Sequence, residues 1–593
     1  MSQPGMLASL RELFSHVSPR RRRQLVPVLL LMLAGAFAEL VSIGAILPFL
    51  ALIADPSGAA SGPLGPLFGA LGLSTPVEVV LAAAVVFALA AVVAGAVRLL
   101  LVWISQRFVF GVAHELSTAV YRRVLYQNYA WHTAHNTSET LAAINKTQIV
   151  ANGLLVPLMQ GLSAGVIALF IVLGLLIIDP AVALISGLGF AAIYLLVMAT
   201  TRAVMRRNGI ILAEAQEQRV QAASEGLGGI RDVLLDHSQP VFVARFDDVE
   251  TGLRRAMAAN NFIAAAPRFI VEGLGLVLIA MMAMALSLGT GGLLGALPVL
   301  GALALGAQRL LPLLQLLYQG WAASMNNGPI LQDILGILRL PEAPHCNAPR
   351  QLASLSFDRA ITLEHVSFHY PAGNRLALGD VSLVIPKGSR VALIGKTGSG
   401  KSTMVDLVLG LLTPTAGRIL IDGVELTDAN RSAWQAQIAH VPQFIYLSDA
   451  TVAENIAFGV PRAQIDQMRV ARAAQQAELA EVVNALPQGY GTIVGERGIR
   501  LSGGQRQRIG IARALYKHAT ILVFDEATNA LDTETEAIVM RAINGLDRSL
   551  TILMITHRLA TVEGADLLTF SLAGGRLIET QEQKQYNQQA VEK

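Results

Sequence analysis

Six stretches within the first 335 residues are apolar over lengths that suit a membrane. They run at about 25–54, 78–104, 153–178, 181–201, 262–288 and 293–318, and each approaches or exceeds the roughly 20 residues that a helix needs to cross a bilayer. Core helices of a soluble domain are apolar too, but the length and repetition of these segments favour membrane spans. Composition points the same way. Of 593 residues, 53% are hydrophobic and 15% charged, and mean hydropathy is +0.52, whereas soluble domains carry about 25% charged residues. Six spans are expected.

Charge sets their orientation. Arg20 to Arg23 precede the first span, Arg122 and Arg123 follow the second, and Arg202, Arg206, Arg207, Arg219, Arg231, Arg245, Arg254 and Arg255 fall between the fourth and fifth. The connections after spans one, three and five hold no Lys or Arg. Basic residues stay on the cytoplasmic side, so both termini are expected there. The same residues account for a net charge of +3 and a pI near 9.0 without a nucleic-acid partner, and none is expected. The first stretch is too long for a signal-peptide core and five more follow, so it is expected to be retained. One cysteine, Cys346, excludes an intramolecular disulfide framework or a cysteine metal cluster.

The connections between spans two and three and between four and five are polar but helical in pattern, which predicts long helices reaching into the cytoplasm. Breaks fall near Trp131–Ser138 and Asp236–Pro240, where helix-breaking polar residues cluster. Between spans one and two, Pro56–Pro76 is rich in Gly, Pro and Ser around Leu64, Leu67, Phe68, Leu71 and Leu73. This reads as a simple loop or a short amphipathic element at the outer interface.

The second half carries different chemistry. Gly395-Lys396-Thr397-Gly398-Ser399-Gly400-Lys401-Ser402 fits the phosphate-loop pattern GxxxxGK[ST] and stands between the apolar run Arg390–Ile394 and the helical run Met404–Leu412. The glycines let backbone N–H groups and a helix N-terminus face a triphosphate. Lys401 is then expected on its outer phosphates, with Ser402 on Mg²⁺ and Thr403 beside it. Further on, the apolar run Ile521–Phe524 delivers Asp525 and Glu526, at the sheet edge where α/β folds place ligands. Asp525 is the expected metal partner and Glu526 the expected base for an attacking water. His557 follows the next apolar run, Thr551–Ile555, at the same edge.

Between these motifs stands Leu501-Ser502-Gly503-Gly504-Gln505, and with it residues 359–580 resemble one complete ATP-binding cassette. The resemblance implies ATP and Mg²⁺ as ligands, Tyr370 stacked on adenine, Gln443 sensing Mg²⁺ and the membrane domain, and Ser502 to Gln505 closing on nucleotide. It makes His557 the switch histidine, Ala530-Leu531-Asp532 an interface loop and Thr492–Gly498 a loop that senses the membrane domain. Asn529 departs from the serine common in the family. In such proteins each ATP lies between the phosphate loop of one cassette and the signature of another, so a chain with one cassette is expected to form a homodimer. The fold expected is thus an exporter-type helical transmembrane domain (1–335), a linker (336–358), an α/β P-loop cassette (359–580) and a tail (581–593). Short coupling helices are expected, by the same likeness, at the two cytoplasmic breaks.

Charges inside the spans bear on the cargo, because each costs about 2.5–3.5 kcal/mol at mid-bilayer and usually faces a cavity or a partner. They are Glu39, Arg98, Arg268, Glu272 and Arg309. Arg268 and Glu272 lie four apart, which is also the spacing of a simple ion pair, and Arg98 is near enough to a span end to snorkel. Three arginines against two acids suit a phosphate or pyrophosphate headgroup. The segments Phe37–Leu40 with Leu47–Phe49, Ala264–Gly273 and Arg309–Pro312 resemble the membrane domain of PglK-type flippases. That likeness implies a bacterial inner-membrane protein that turns a polyprenyl-pyrophosphate-linked oligosaccharide to the outer leaflet, with Arg98, Arg268 and Arg309 receiving the pyrophosphate. A general exporter of lipids, drugs or peptides is the alternative, and an ATP-gated regulatory or channel-like protein a further one.

Overall fold

The computed structural model describes residues 5–54, 76–178, 180–287, 292–341, 355–370, 376–526, 533–556 and 567–578. Packing divides the chain into two units, Met1–Gln127 with His135–Ala343, and Asn128–Ala134 with Pro344–Lys593.

The first unit is helical: α1 (Met6–Ser15), α2 (Pro19–Arg23), α3 (Leu25–Ala54), α4 (Pro76–Leu125), α6 (Thr137–Val150), a π-turn (Ala151–Leu155), α7 (Val156–Ile178), α8 (Pro180–Gly228), α9 (Ile230–Leu235), α10 (Gln239–Ser287) and α11 (Gly292–Leu338). The apolar stretches read from the sequence fall on α3, α4, α7, α8, α10 and α11, the third of them beginning in the π-turn. Four described segments are long and apolar enough to span a bilayer: Pro19–Val41, Val77–Leu125, Thr137–Gly174 and Gly187–Gly228. Helices α8 and α10 have 49 residues each, about 70 Å at 1.5 Å per residue. That is more than twice a hydrocarbon core of about 30 Å, so their polar ends extend well beyond it. Leu81, Val86, Leu89 and Val92 on α4 are exposed, an arrangement that water would penalise and lipid does not.

Inside this unit, ionic and amide contacts tie the helices together. Arg21 pairs with Glu115 at 3.1 Å, and the buried Lys146 meets Asp333 at 2.5 Å and Glu217 at 3.6 Å. Asn327 donates to the Gly153 carbonyl at 2.6 Å, within the π-turn, where the normal helical ladder is interrupted.

The cytoplasmic breaks differ in detail from the sequence expectation. The short helices are α5 (Tyr129–Ala134), which runs into the first break, and α9 (Ile230–Leu235), which ends just before the second. The polar clusters are caps and turns: Asn136 caps α6 by accepting from the Ser138 amide at 3.2 Å, and His237 holds a φ of 50° between α9 and α10. Polar residues that read as loop centres therefore mark helix ends. Helix α5 groups with the second unit, where Ala130 packs on its apolar core.

Two sheets build the second unit. One is antiparallel, with order β2-β1-β4-β5, made of β1 (Ala360–His369), β2 (Leu376–Pro386), β4 (Ala416–Ile421) and β5 (Val424–Glu425). The other runs β10-β9-β3-β8-β7-β6, from β3 (Arg390–Ile394), β6 (Ile438–Val441), β7 (Ile521–Asp525), β8 (Thr551–Ile555), β9 (Leu567–Ala573) and β10 (Arg576–Ile578). Strands β9, β3, β8, β7 and β6 are parallel. Buried on both faces, β7 and β8 read as unbroken apolar runs rather than alternating ones. Helix α12 (Lys401–Val408) follows β3, and α17 (Gly503–Tyr516) carries the signature. Their apolar faces belong to separate cores, Met404, Val405 and Val408 to one and Ile509, Ile511 and Ala512 to the other.

The segment 55–75, the linker residues 342–354 with Cys346, the loop 527–532 with Asn529, His557 and the tail lie outside the described residues, as does the Arg309 side chain.

Candidate functional site: a nucleotide cradle at the sheet edge

The parallel strands β3, β7 and β6 all end at one edge of the sheet, so their C-terminal loops lie along that edge. After β3 comes the phosphate loop, after β7 the pair Asp525–Glu526, after β6 Pro442–Gln443. Strand β8 lies between β3 and β7.

The loop needs its glycines. Gly395 has a φ of 149°, and a Cβ there would sit 2.3 Å from the Leu572 carbonyl oxygen. Gly400, at φ 104°, caps α12 and would put a Cβ 2.7 Å from the Ala377 oxygen. The amides opening α12 have no intrahelical acceptor and face outward with the positive end of the helix dipole. Lys401 is 5% exposed, and its Nζ donates to the carbonyls of Gly395 at 2.8 Å and Lys396 at 3.1 Å. Burial lowers its pKa, while the acids Glu526 and Asp525 oppose that shift. Ser399 Oγ is buried with no hydrogen-bond partner. A buried orphan hydroxyl in a glycine cradle beside a lysine fits a phosphate group, whose oxygens satisfy such donors.

Burial, then the charge of Glu526, raises the pKa of Asp525, and Lys401 opposes them. Glu526 adopts φ 46°, a left-handed backbone that costs a non-glycine residue about 1 kcal/mol or more. Its carboxylate accepts from Gln443 Nε2 at 3.0 Å, which joins the loop after β6 to the residue after β7. Tyr370, packed edge-on to Phe368, meets Thr403 Oγ1 at 3.2 Å through its hydroxyl. Its ring therefore stands over the start of α12. With Ser402 exposed beside Lys401, the structure brings Tyr370, the phosphate loop, Gln443, Asp525 and Glu526 together. Oxygen ligands from Ser402, Gln443 and Asp525 suit Mg²⁺, which usually completes its shell with phosphate and water.

The signature is assembled by a capping box. Ser502 accepts from the Gln505 amide at 3.2 Å, and Gln505 accepts from the Ser502 amide at 2.9 Å. Leu501 is buried beneath, whereas Ser502 and Gly503 are exposed. The amides of Gly503 and Gly504 are left as free N-terminal donors.

Asp406 was not singled out in the sequence. Burial, followed by the nearby Asp525 carboxylate, pushes its pKa up to about 6. The available signal was a lone acid on the otherwise apolar face of α12. An acid raised above its unfolded value holds its proton more tightly when folded, so its contribution to stability is fully present below the unfolded value of 3.8 and is lost as pH rises from there through about 6. Asp406→Asn should therefore flatten the pH dependence of melting of the nucleotide-free protein between about pH 4 and 7. An unchanged pH slope would contradict this.

In the membrane unit the candidate arginines differ. Arg98 forms an ion pair with Glu39, whose carboxylate is buried while the guanidinium is 42% exposed. The pair joins α3 to α4, a partnership 59 positions apart that the linear sequence does not show. Arg268 is exposed on α10, next to the buried Pro267, and Glu272 one turn on is exposed too. Arg309 lies on α11.

Comparison with known proteins agrees with this geometry. The family model described as ABC transporter matches residues 378–529, and that described as ABC transporter transmembrane region matches 28–294. An ATP-dependent lipid A-core flippase from Methylococcus capsulatus is 45% identical over 251 residues, 42% of this chain and 40% of that protein. One from Cupriavidus metallidurans is 38% identical over 367 residues, 60% of this chain and 59% of that protein. The chain thus spans between about two fifths and three fifths of the length of these relatives. A bacterial Atm1-family ABC exporter solved with ATP bound superposes with a TM-score of 0.73 at 26% identity, over 96% of this chain and 98% of that one. With a transmembrane region and an ABC transporter ATPase domain in one polypeptide, the chain is built as an ABC exporter half-transporter.

Proposed function

We propose that this protein uses ATP to flip a lipid with an anionic, phosphorylated headgroup from the cytoplasmic to the outer leaflet of a bacterial inner membrane. Its cargo on this reading is a polyprenyl-pyrophosphate-linked oligosaccharide. The observation that carries the reading is an exposed arginine, Arg268, on a membrane helix of a chain that also holds an assembled nucleotide cradle. A guanidinium that is not expended on core packing has its fork of donors available for phosphate oxygens. Arg98 contributes its half-exposed edge while Glu39 holds the other, and Arg309 is assigned to the same wall.

Two copies complete the machine. The free amides of Gly503 and Gly504 in one cassette close on the outer phosphates held by Lys401 and the loop amides of the other. Tyr370 holds the adenine. Mg²⁺, when bound, neutralises developing charge on the phosphates. Glu526 takes the proton of the attacking water, and Gln443, hydrogen-bonded to it, reports the state of the site toward the membrane unit. His557 is assigned to the same outer phosphate, Ala530–Asp532 to the interface, and the short helices α5 and α9 to coupling. Residues 1–335, 336–358 and 359–580 serve as membrane domain, linker and cassette, with both termini cytoplasmic.

The names of the relatives favour a second reading, with lipid A-core as cargo. ATPase measurements in lipid nanodiscs separate the two. Polyprenyl pyrophosphate should stimulate wild-type turnover and stimulate Arg268→Ala about tenfold less well, the loss of one charge-assisted contact. Stimulation by lipid A-core alone would transfer the assignment to that cargo.

A further inference from the structure

Pro267 lies inside α10, a helix that runs from Gln239 to Ser287. Proline has no N–H, so the carbonyl four residues earlier, at Ile263, loses its helical donor, and the ring crowds the turn before it. In an apolar setting an orphaned carbonyl is costly. That carbonyl and the next one along, at Ala264, are both met from α11. The Tyr318 hydroxyl donates to the Ile263 oxygen at 3.1 Å, and Gln315 Nε2 donates to the Ala264 oxygen at 2.8 Å. The amide oxygen of Gln315 accepts in turn from the Tyr194 hydroxyl, on α8, at 3.3 Å. All three side chains are buried, and the rings of Tyr194 and Tyr318 pack with centroids 5.6 Å apart.

We propose that Tyr318 and Gln315 are positioning residues for Arg268: Tyr318 caps the Ile263 carbonyl that Pro267 leaves without its helical donor, Gln315 braces the neighbouring Ala264 carbonyl, and together they hold the proline turn of α10 from which Arg268 departs. Arg268 immediately follows the proline, so any change in this turn moves it directly. The consequence for cargo rests on the headgroup reading above; the clamp itself does not. The donors sit three residues apart on α11, so they face the proline turn together. Sliding or rotating α11 against α10 removes both caps at once and redirects the arginine.

The test uses the full-length protein in nanodiscs, with Cys346→Ser and Arg268→Cys, and reads the rate at which a membrane-impermeant maleimide labels position 268. Tyr318→Phe and, separately, Gln315→Leu should each change that rate about threefold or more. In a Pro267→Ala background, which restores the amide at position 267, the effect of Tyr318→Phe should shrink to within about twofold, the non-additivity expected of residues sharing one contact. Melting temperature should show the same pattern, with a drop in the Pro267 protein that is largely lost beside Pro267→Ala. Equal effects in both backgrounds, or no change in labelling, would overturn the clamp. With Arg268 restored, Tyr318→Phe should raise the polyprenyl pyrophosphate concentration for half-maximal ATPase stimulation more than it lowers the maximal rate. Absence of stimulation in the wild type would sink the headgroup reading, while the labelling result would still decide the clamp.

Discussion

Glu526→Gln is expected to cut ATP turnover by about 10²- to 10⁴-fold, the usual contribution of a general base, while ATP binding is retained. The substitution keeps the length of the side chain and its contact with Gln443 Nε2 but removes the group that accepts a proton. Because the left-handed backbone at this residue is imposed by the strand end, glutamine meets the same constraint as glutamate and the fold should be unaffected. Steady-state ATPase assays paired with equilibrium nucleotide binding check this, and residual turnover within a few-fold of wild type would remove Glu526 from its role.

Lys401→Ala is expected to fail differently. Lys401 is the buried cation of the phosphate loop, anchored on the carbonyls of Gly395 and Lys396. Its removal takes charge from both the bound nucleotide and the transition state, so affinity and turnover fall together, turnover by about 10²- to 10³-fold as for other preorganised electrostatic contacts. Binding by titration calorimetry alongside single-turnover hydrolysis separates the two variants: only the glutamine variant should hold nucleotide tightly. If Lys401→Ala bound ATP with unchanged affinity, the lysine would not be the phosphate ligand assigned here.

Much of this was legible in the sequence, for physical reasons. Runs such as Ile521–Phe524 and Thr551–Ile555 are buried strands because a parallel sheet covered on both faces admits only apolar side chains. Glycines 395, 398 and 400 announce a loop with positive φ because other residues resist it. Long-range partnerships were not legible. Glu39 and Arg98 read as separate intramembrane charges, yet each answers the other across two helices. Pro267 was visible, but its capping donors lie 51 and 55 positions from the carbonyls they serve, beyond anything helical spacing predicts. The left-handed backbone of Glu526 had no local signal, since glutamate is not a residue chosen for that conformation. The short helix α5 overlaps its predicted break and α9 ends just before the other, because Asn, Asp and Ser stop or start helices as readily as they form loops.

The central claim is ATP-driven movement of a headgroup across the bilayer, and its most direct measurement is leaflet exposure in liposomes. Purified protein would be reconstituted with a fluorescent polyprenyl-pyrophosphate oligosaccharide and the accessible fraction followed after ATP addition, with Glu526→Gln alongside. The account predicts an ATP-dependent change in exposure that the variant abolishes. Vigorous ATPase activity with no change in exposure would contradict it.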